Sequence, residues 1–180
     1  TAIKLSAFKD LTEKLYPALD KLIKEIEKKE STLKGIVKTG RTHLMDAMPI
    51  EISQELSAWS SQLKNIRKTL TFLEARLLEM PLGGTAVGTG INAHPRFAKT
   101  FAKELSSLTG GKCKASPSEN FFHELSTQDT AVQVSGELKN LAVSLMKISN
   151  DLRWMNAGPL AGLSEIELKA LQPGSSIMPG

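Results

Sequence analysis

Cysteine is nearly absent: Cys113 stands alone in 180 residues. A single thiol excludes an internal disulfide, and with only three histidines no Cys/His set has metal-ligand spacing. A reducing compartment, the cytoplasm, suits such a chain. Aromatic side chains are scarce at 5%, and the net charge of +4 comes from Lys and Arg interleaved with Asp and Glu rather than from a basic block. A nucleic-acid surface needs both a basic patch and stacking rings, so that class of partner is excluded. No run of 18 apolar residues exists, so no helix is expected to cross a membrane. No secretory leader opens the chain. An initiating Met is missing too. Thr1 already lies in a helical pattern and Gly180 in a loop, so a piece of a longer protein is expected.

What is present is helix. Hydrophobic residues make up 41% of the chain, enough to build a core rather than a disordered tail. Residues 2–29 repeat Phe8, Leu11, Leu15, Leu19, Leu22 and Ile26 at steps of three and four. Residues 31–49 form a shorter segment broken by Gly35, Gly40 and Pro49. The cleanest pattern follows: Ile52, Leu56, Trp59, Leu63, Ile66, Leu70, Leu73, Leu77 and Met80 make a heptad seam that Pro81 and Gly83 end. A short helix is expected over 96–108, with Phe97, Phe101, Leu105 and Leu108 as its stripe. A second long seam, within 121–156, uses Val134, Leu138, Leu141, Leu145, Ile148, Leu152 and Met155. Residues 157–180 read as turns and loop. No alternating pattern suggests a strand. The expected fold class is all-α, a bundle of three long helices and one short one. Such helices bury only part of their apolar faces within one chain, so a multi-helix core completed by homotetramerisation is expected.

Three stretches exceed what a helical bundle requires. They are GRTHLMDAMP at 40–49, GGTAVGTGIN at 83–92 and GSSIMPG at 174–180. Gly-rich turns allow close backbone approach and can aim N–H groups at an anion. The 83–92 stretch is no phosphate loop: the Lys-Ser/Thr pair is missing and no strand precedes it. Thr42 and His43 put a hydroxyl beside a side chain able to take up and release a proton. Ser175 and Ser176 sit among small residues suited to a mobile loop.

In this order, and with the run SLMKISNDLRW at 144–154, these stretches resemble the class II fumarate hydratases of the fumarase/aspartase superfamily. The resemblance covers essentially the whole chain and implies a lyase acting on a small dicarboxylate, fumarate or malate, with no metal and no organic cofactor. It implies Ser175 as catalytic base and His43 as a proton-handling residue. Thr42 would hydrogen-bond a substrate carboxylate, with Ser176 assisting. It also implies that 1–180 is a central helical domain carrying the start of the catalytic loop at 174–180. Further site residues would lie before Thr1 and after Gly180, among them a Lys, and the isolated segment would be inactive. Sites in the family are assembled from three subunits of a homotetramer. His94, His123 and Cys113 gain nothing from the resemblance. Met45, Ser53 and Leu160 depart from the residues more usual there (Gln, Gly and Arg). An aspartate ammonia-lyase shares the same loop and is the nearest alternative. A non-catalytic helical oligomerisation module is the alternative from another class.

Overall fold

The computed structural model describes residues 1–178. The seam that starts at Ile52 becomes helix α3, Ile52–Leu77, and its apolar positions are the centre of the molecule. Ile52, Leu56, Trp59, Leu63, Ile66, Leu70, Leu73 and Leu77 are all buried, with Leu63 and Leu70 at 0% exposure. A capping box starts the helix: the Glu51 carboxylate accepts from the backbone of Gln54, and the Gln54 side chain accepts from the Glu51 N–H at 2.9 Å. Helices α2 (Tyr16–Thr32) and α6 (Asp129–Met155) both pack on α3. Met80 does not continue the helix. Glu79–Met80 forms a short strand, β3, paired in parallel with β4, Ser116–Pro117.

The first long helix has a discontinuity that the spacing does not reveal. Helix α1, Ala2–Asp10, runs through a π-helical turn, Leu11–Leu15, into α2. A π turn bonds i to i+5, so the buried positions step by five there. The observed seam is accordingly Phe8, Leu11, Tyr16, Leu19 and Ile23, with Leu22 turned partly outward. Pro17 supplies the cause: it has no N–H to donate, and its ring would clash with the carbonyl four residues back in a regular turn.

The α6 seam is only half closed. Val134, Leu141, Ile148 and Met155, seven residues apart, are buried, while Leu138 and Leu145 remain 39% and 36% exposed. The expected single helix from Phe121 is in fact two, α5 (Phe121–Ser126) and α6, broken at 127–128. Helix α4, Phe97–Leu108, buries only Ala102, and Leu108 at the end of its stripe faces outward.

Strands occur where none was expected. β1 (Val37–Thr42) and β2 (Met45–Glu51) form an antiparallel hairpin. Almost every residue of both strands is exposed or half-exposed, so no alternation marks them. The register shifts between Thr39 and Arg41, where Ala47 and Met48 together face Gly40. Such a bulge bends and twists the ladder. Only glycine fits at its centre, because a Cβ on Gly40 would lie 2.4 Å from the Met48 carbonyl oxygen. Gly40→Ala should therefore lower the local opening free energy of 37–51, read by hydrogen exchange, by about 1–3 kcal/mol. Unaltered exchange would show that β2 gives way freely.

Candidate active site

The hairpin presents Thr42 and His43 at its tip. A two-residue connection favours mirror-image turns in which both residues adopt positive φ, and His43 (51°) and Leu44 (62°) do so. Asn-Gly normally occupies such a turn. A bulky Leu in this region is strained, and strain of this kind collects at functional sites. Both Thr42 and His43 are exposed, and neither side chain hydrogen-bonds another described residue.

The tail places Ser175 in a small turn of its own. Its N–H donates to the Met178 carbonyl at 2.7 Å. Its Oγ accepts from the Met178 N–H at 3.0 Å and from the Ile177 N–H at 3.4 Å. Two backbone donors thus converge on the oxygen that a base would have to ionise. Ser176 is exposed beside it. Pro179 and Gly180, the end of the GSSIMPG run, lie outside the described residues. Among the described residues no hydrogen bond or ion pair joins this turn to the hairpin tip. The sequence-predicted residues thus form two separate pairs, Thr42 with His43 and Ser175 with Ser176.

Between hairpin and tail lies a groove of about 380 Å³, walled by β1, the start of α3, the end of α6 and residues 163–165. Its floor is a charged cluster. Lys38 Nζ lies 2.7 Å from Glu55 Oε2 and 2.6 Å from Glu165 Oε2, and Arg41 Nη1 lies 2.6 Å from Glu165 Oε1. Burial alone would push the Glu165 pKa up, but the Lys38 and Arg41 cations beside it prevail and hold it below the ordinary value. Burial likewise opposes the charge on Lys38, and its bonds to Glu165 and Glu55 outweigh that, so its pKa is raised. Sequence reasoning did not find Glu165. Its partners are more than 120 positions away, and no local pattern announces the pairing.

The Gly-rich stretch folds into successive turns against α5. A Cβ on Gly84 would sit 2.8 Å from Phe121 and 2.9 Å from Leu125. Close packing on an aromatic helix therefore accounts for this glycine without any ligand. His123 Nε2 lies 2.9 Å from Asp129 Oδ2. The Thr127 hydroxyl and then His123 lower the Asp129 pKa to about 2. This cluster closes the gap between α5 and α6. Cys113 belongs to the core, and burial raises its thiol pKa. Among the described residues no three His, Cys, Asp or Glu side chains are grouped to hold a metal ion, and no helix is long and apolar enough to cross a membrane.

The whole chain, residues 1–180, matches the family described as Lyase. Over all 180 residues it is 54% identical to a protein of Pseudomonas aeruginosa named fumarate hydratase class II 2, of which it covers 39%. It is 55% identical to a fumarate hydratase class II of Xylella fastidiosa, of which it covers 38%. Among solved structures, all of the chain superposes on 40% of the class II fumarase of Schistosoma mansoni, with a TM-score of 0.92 at 36% identity. The chain thus spans about two-fifths of the length of these relatives.

Proposed function

Because this chain belongs to the Lyase family over its entire length, we propose that it is the central helical segment of an enzyme that reversibly hydrates fumarate to (S)-malate. The observation that carries the reading is the match over all 180 residues to proteins named fumarate hydratase class II, at 54% and 55% identity. The residues supply a chemistry that fits. Read from malate, the Ser175 oxygen takes a proton from the carbon beside a carboxylate. The resulting carbanion delocalises into that carboxylate, and hydroxide leaves with a proton from the His43 side. The difficult step is holding the extra negative charge, which fixed donors do best. Thr42 donates to a substrate carboxylate and Ser176 assists. An unassisted serine is a poor base at neutral pH. The two N–H groups aimed at Ser175 Oγ favour its alkoxide, and a cation following Gly180 would add to them.

The separation of the two residue pairs fits a site completed by other copies of the chain. We place the enzyme in the cytoplasm as a homotetramer. The half-open seam of α6 supports an assembly of this kind, because Leu138 and Leu145 flank the buried stripe and stay partly exposed, leaving an apolar strip that four-helix packing between subunits would cover. The segment alone is then inactive, lacking residues on either side of 1–180.

The test is the ultraviolet absorbance of fumarate, followed while the full-length enzyme receives malate or aspartate in separate cuvettes. Fumarate is expected from malate only. Fumarate from aspartate only would make the protein an ammonia-lyase, and none from either would leave the helices as an assembly module.

A further inference from the structure

The hairpin that carries Thr42 and His43 has little apolar packing to hold it. Apart from Gly40 its strands are exposed or half-exposed, so hydrophobic burial does not set the direction in which the tip points. Its strongest tertiary side-chain anchor is the charged cluster on the groove floor. Each oxygen of Glu165 takes one cation, Oε1 from Arg41 and Oε2 from Lys38, both at 2.6 Å. Two residues of one strand thereby fix the carboxylate plane. In a flat strand, positions 38 and 41 would face opposite ways. The bulge opposite Gly40 twists the ladder between them, and both reach the same acid.

The other end of the contact is rigid. The Glu165 N–H donates to the Met155 carbonyl at 2.8 Å, the Ser164 N–H to Ala157 at 2.7 Å and the Leu168 N–H to Asn156 Oδ1 at 2.8 Å. Residues 164–168 are thus bolted to the end of α6 before the chain proceeds to Ser175. The Lys38 and Glu165 side chains are only 9% and 10% exposed, so solvent screens their pairing weakly.

We propose that Glu165 is a positioning residue that orients the Thr42–His43 turn relative to the tail leading to Ser175 by bridging Lys38 and Arg41 to the end of α6. This rests on the function proposed above and adds to it the group that sets the geometry of one half of the site. Glu165 serves to orient the strand rather than to bind substrate. It acts through the strand.

Glu165→Gln in the full-length enzyme keeps the shape and removes the charge. Amide exchange across 37–51 should then accelerate at least about tenfold while α3 stays protected, because Arg41 loses its close carboxylate and Lys38 keeps only Glu55. kcat should fall about ten- to a hundredfold, and KM should rise as well, since the displaced turn carries both His43 and the Thr42 that holds a substrate carboxylate. Glu165→Asp, able to keep one pair, should recover part of both. If the glutamine variant does not fold, Arg41→Gln removes one arm at a less buried position and should give the same result in smaller measure. Exchange across 37–51 unchanged in a folded variant overturns the proposal. The readouts separate the two claims: an enzyme that makes no fumarate from malate loses the proposed function, while the exchange experiment still decides whether Glu165 holds the hairpin.

Discussion

Ser175→Ala is expected to lower malate turnover by at least about 10²-fold while leaving the helical fold intact. The fold should survive because Ser175 is exposed and its bonds are confined to its own turn, to Ile177 and Met178. Nothing in the core depends on it. The loss should fall on kcat rather than KM, since a proton acceptor acts in the transition state and contributes little to ground-state binding. Ser175→Cys sharpens the test. A thiol ionises more readily than a hydroxyl, so retained activity with a shifted pH profile would mark position 175 as the ionising group. Near-normal turnover by the alanine variant would remove Ser175 from the mechanism and leave the convergence of two N–H groups on its oxygen as a loop-closing bond only.

Legibility in the sequence followed the kind of burial each element experiences. The α3 seam could be read because every one of its heptad positions from Ile52 to Leu77 is buried by this chain alone. Periodicity reports such burial directly. The α6 seam was legible in position but not in consequence, since Leu138 and Leu145 carry the pattern yet stay open. The pattern records a face to be covered and says nothing about which copy covers it. In the first helix the steps of three and four hid the π turn, because Leu15 and Leu22 sit next to the truly buried Tyr16 and Ile23. Pro17 was the available signal.

The hairpin escaped for a different reason. A strand shows period-two alternation when one face meets a core and the other meets water. Here both faces of 37–51 are largely solvated, and His43-Leu44 replaces the Asn-Gly that would flag the turn. What did point to these residues was the resemblance of GRTHLMDAMP, which located chemistry without revealing the shape that presents it. Glu165 lay beyond both routes. Its pairing with Lys38 and Arg41 exists only once the end of α6 and the hairpin have met, so neither local spacing nor composition could disclose it.

His43→Asn should reduce turnover about as far as the Ser175 change, by roughly 10²-fold, and should also remove one limb of the pH–rate profile. Imidazole can take up and release a proton, and asparagine offers hydrogen bonds of similar reach without that capacity. The substitution also isolates chemistry from backbone shape. Asparagine tolerates the left-handed region better than most residues, so the turn at φ 51° should form as before and β1 should keep its register on β2. Lost activity would then report the lost proton rather than a collapsed hairpin, and hydrogen exchange over 37–51 should match the native enzyme. The Glu165→Gln variant should behave the opposite way, with a loosened hairpin but both limbs of the pH profile retained, because its imidazole is still present. If His43→Asn lowers the rate but leaves the pH profile unchanged, His43 only positions substrate from the hairpin tip, and the proton that accompanies the departing hydroxide must come from a group outside this segment.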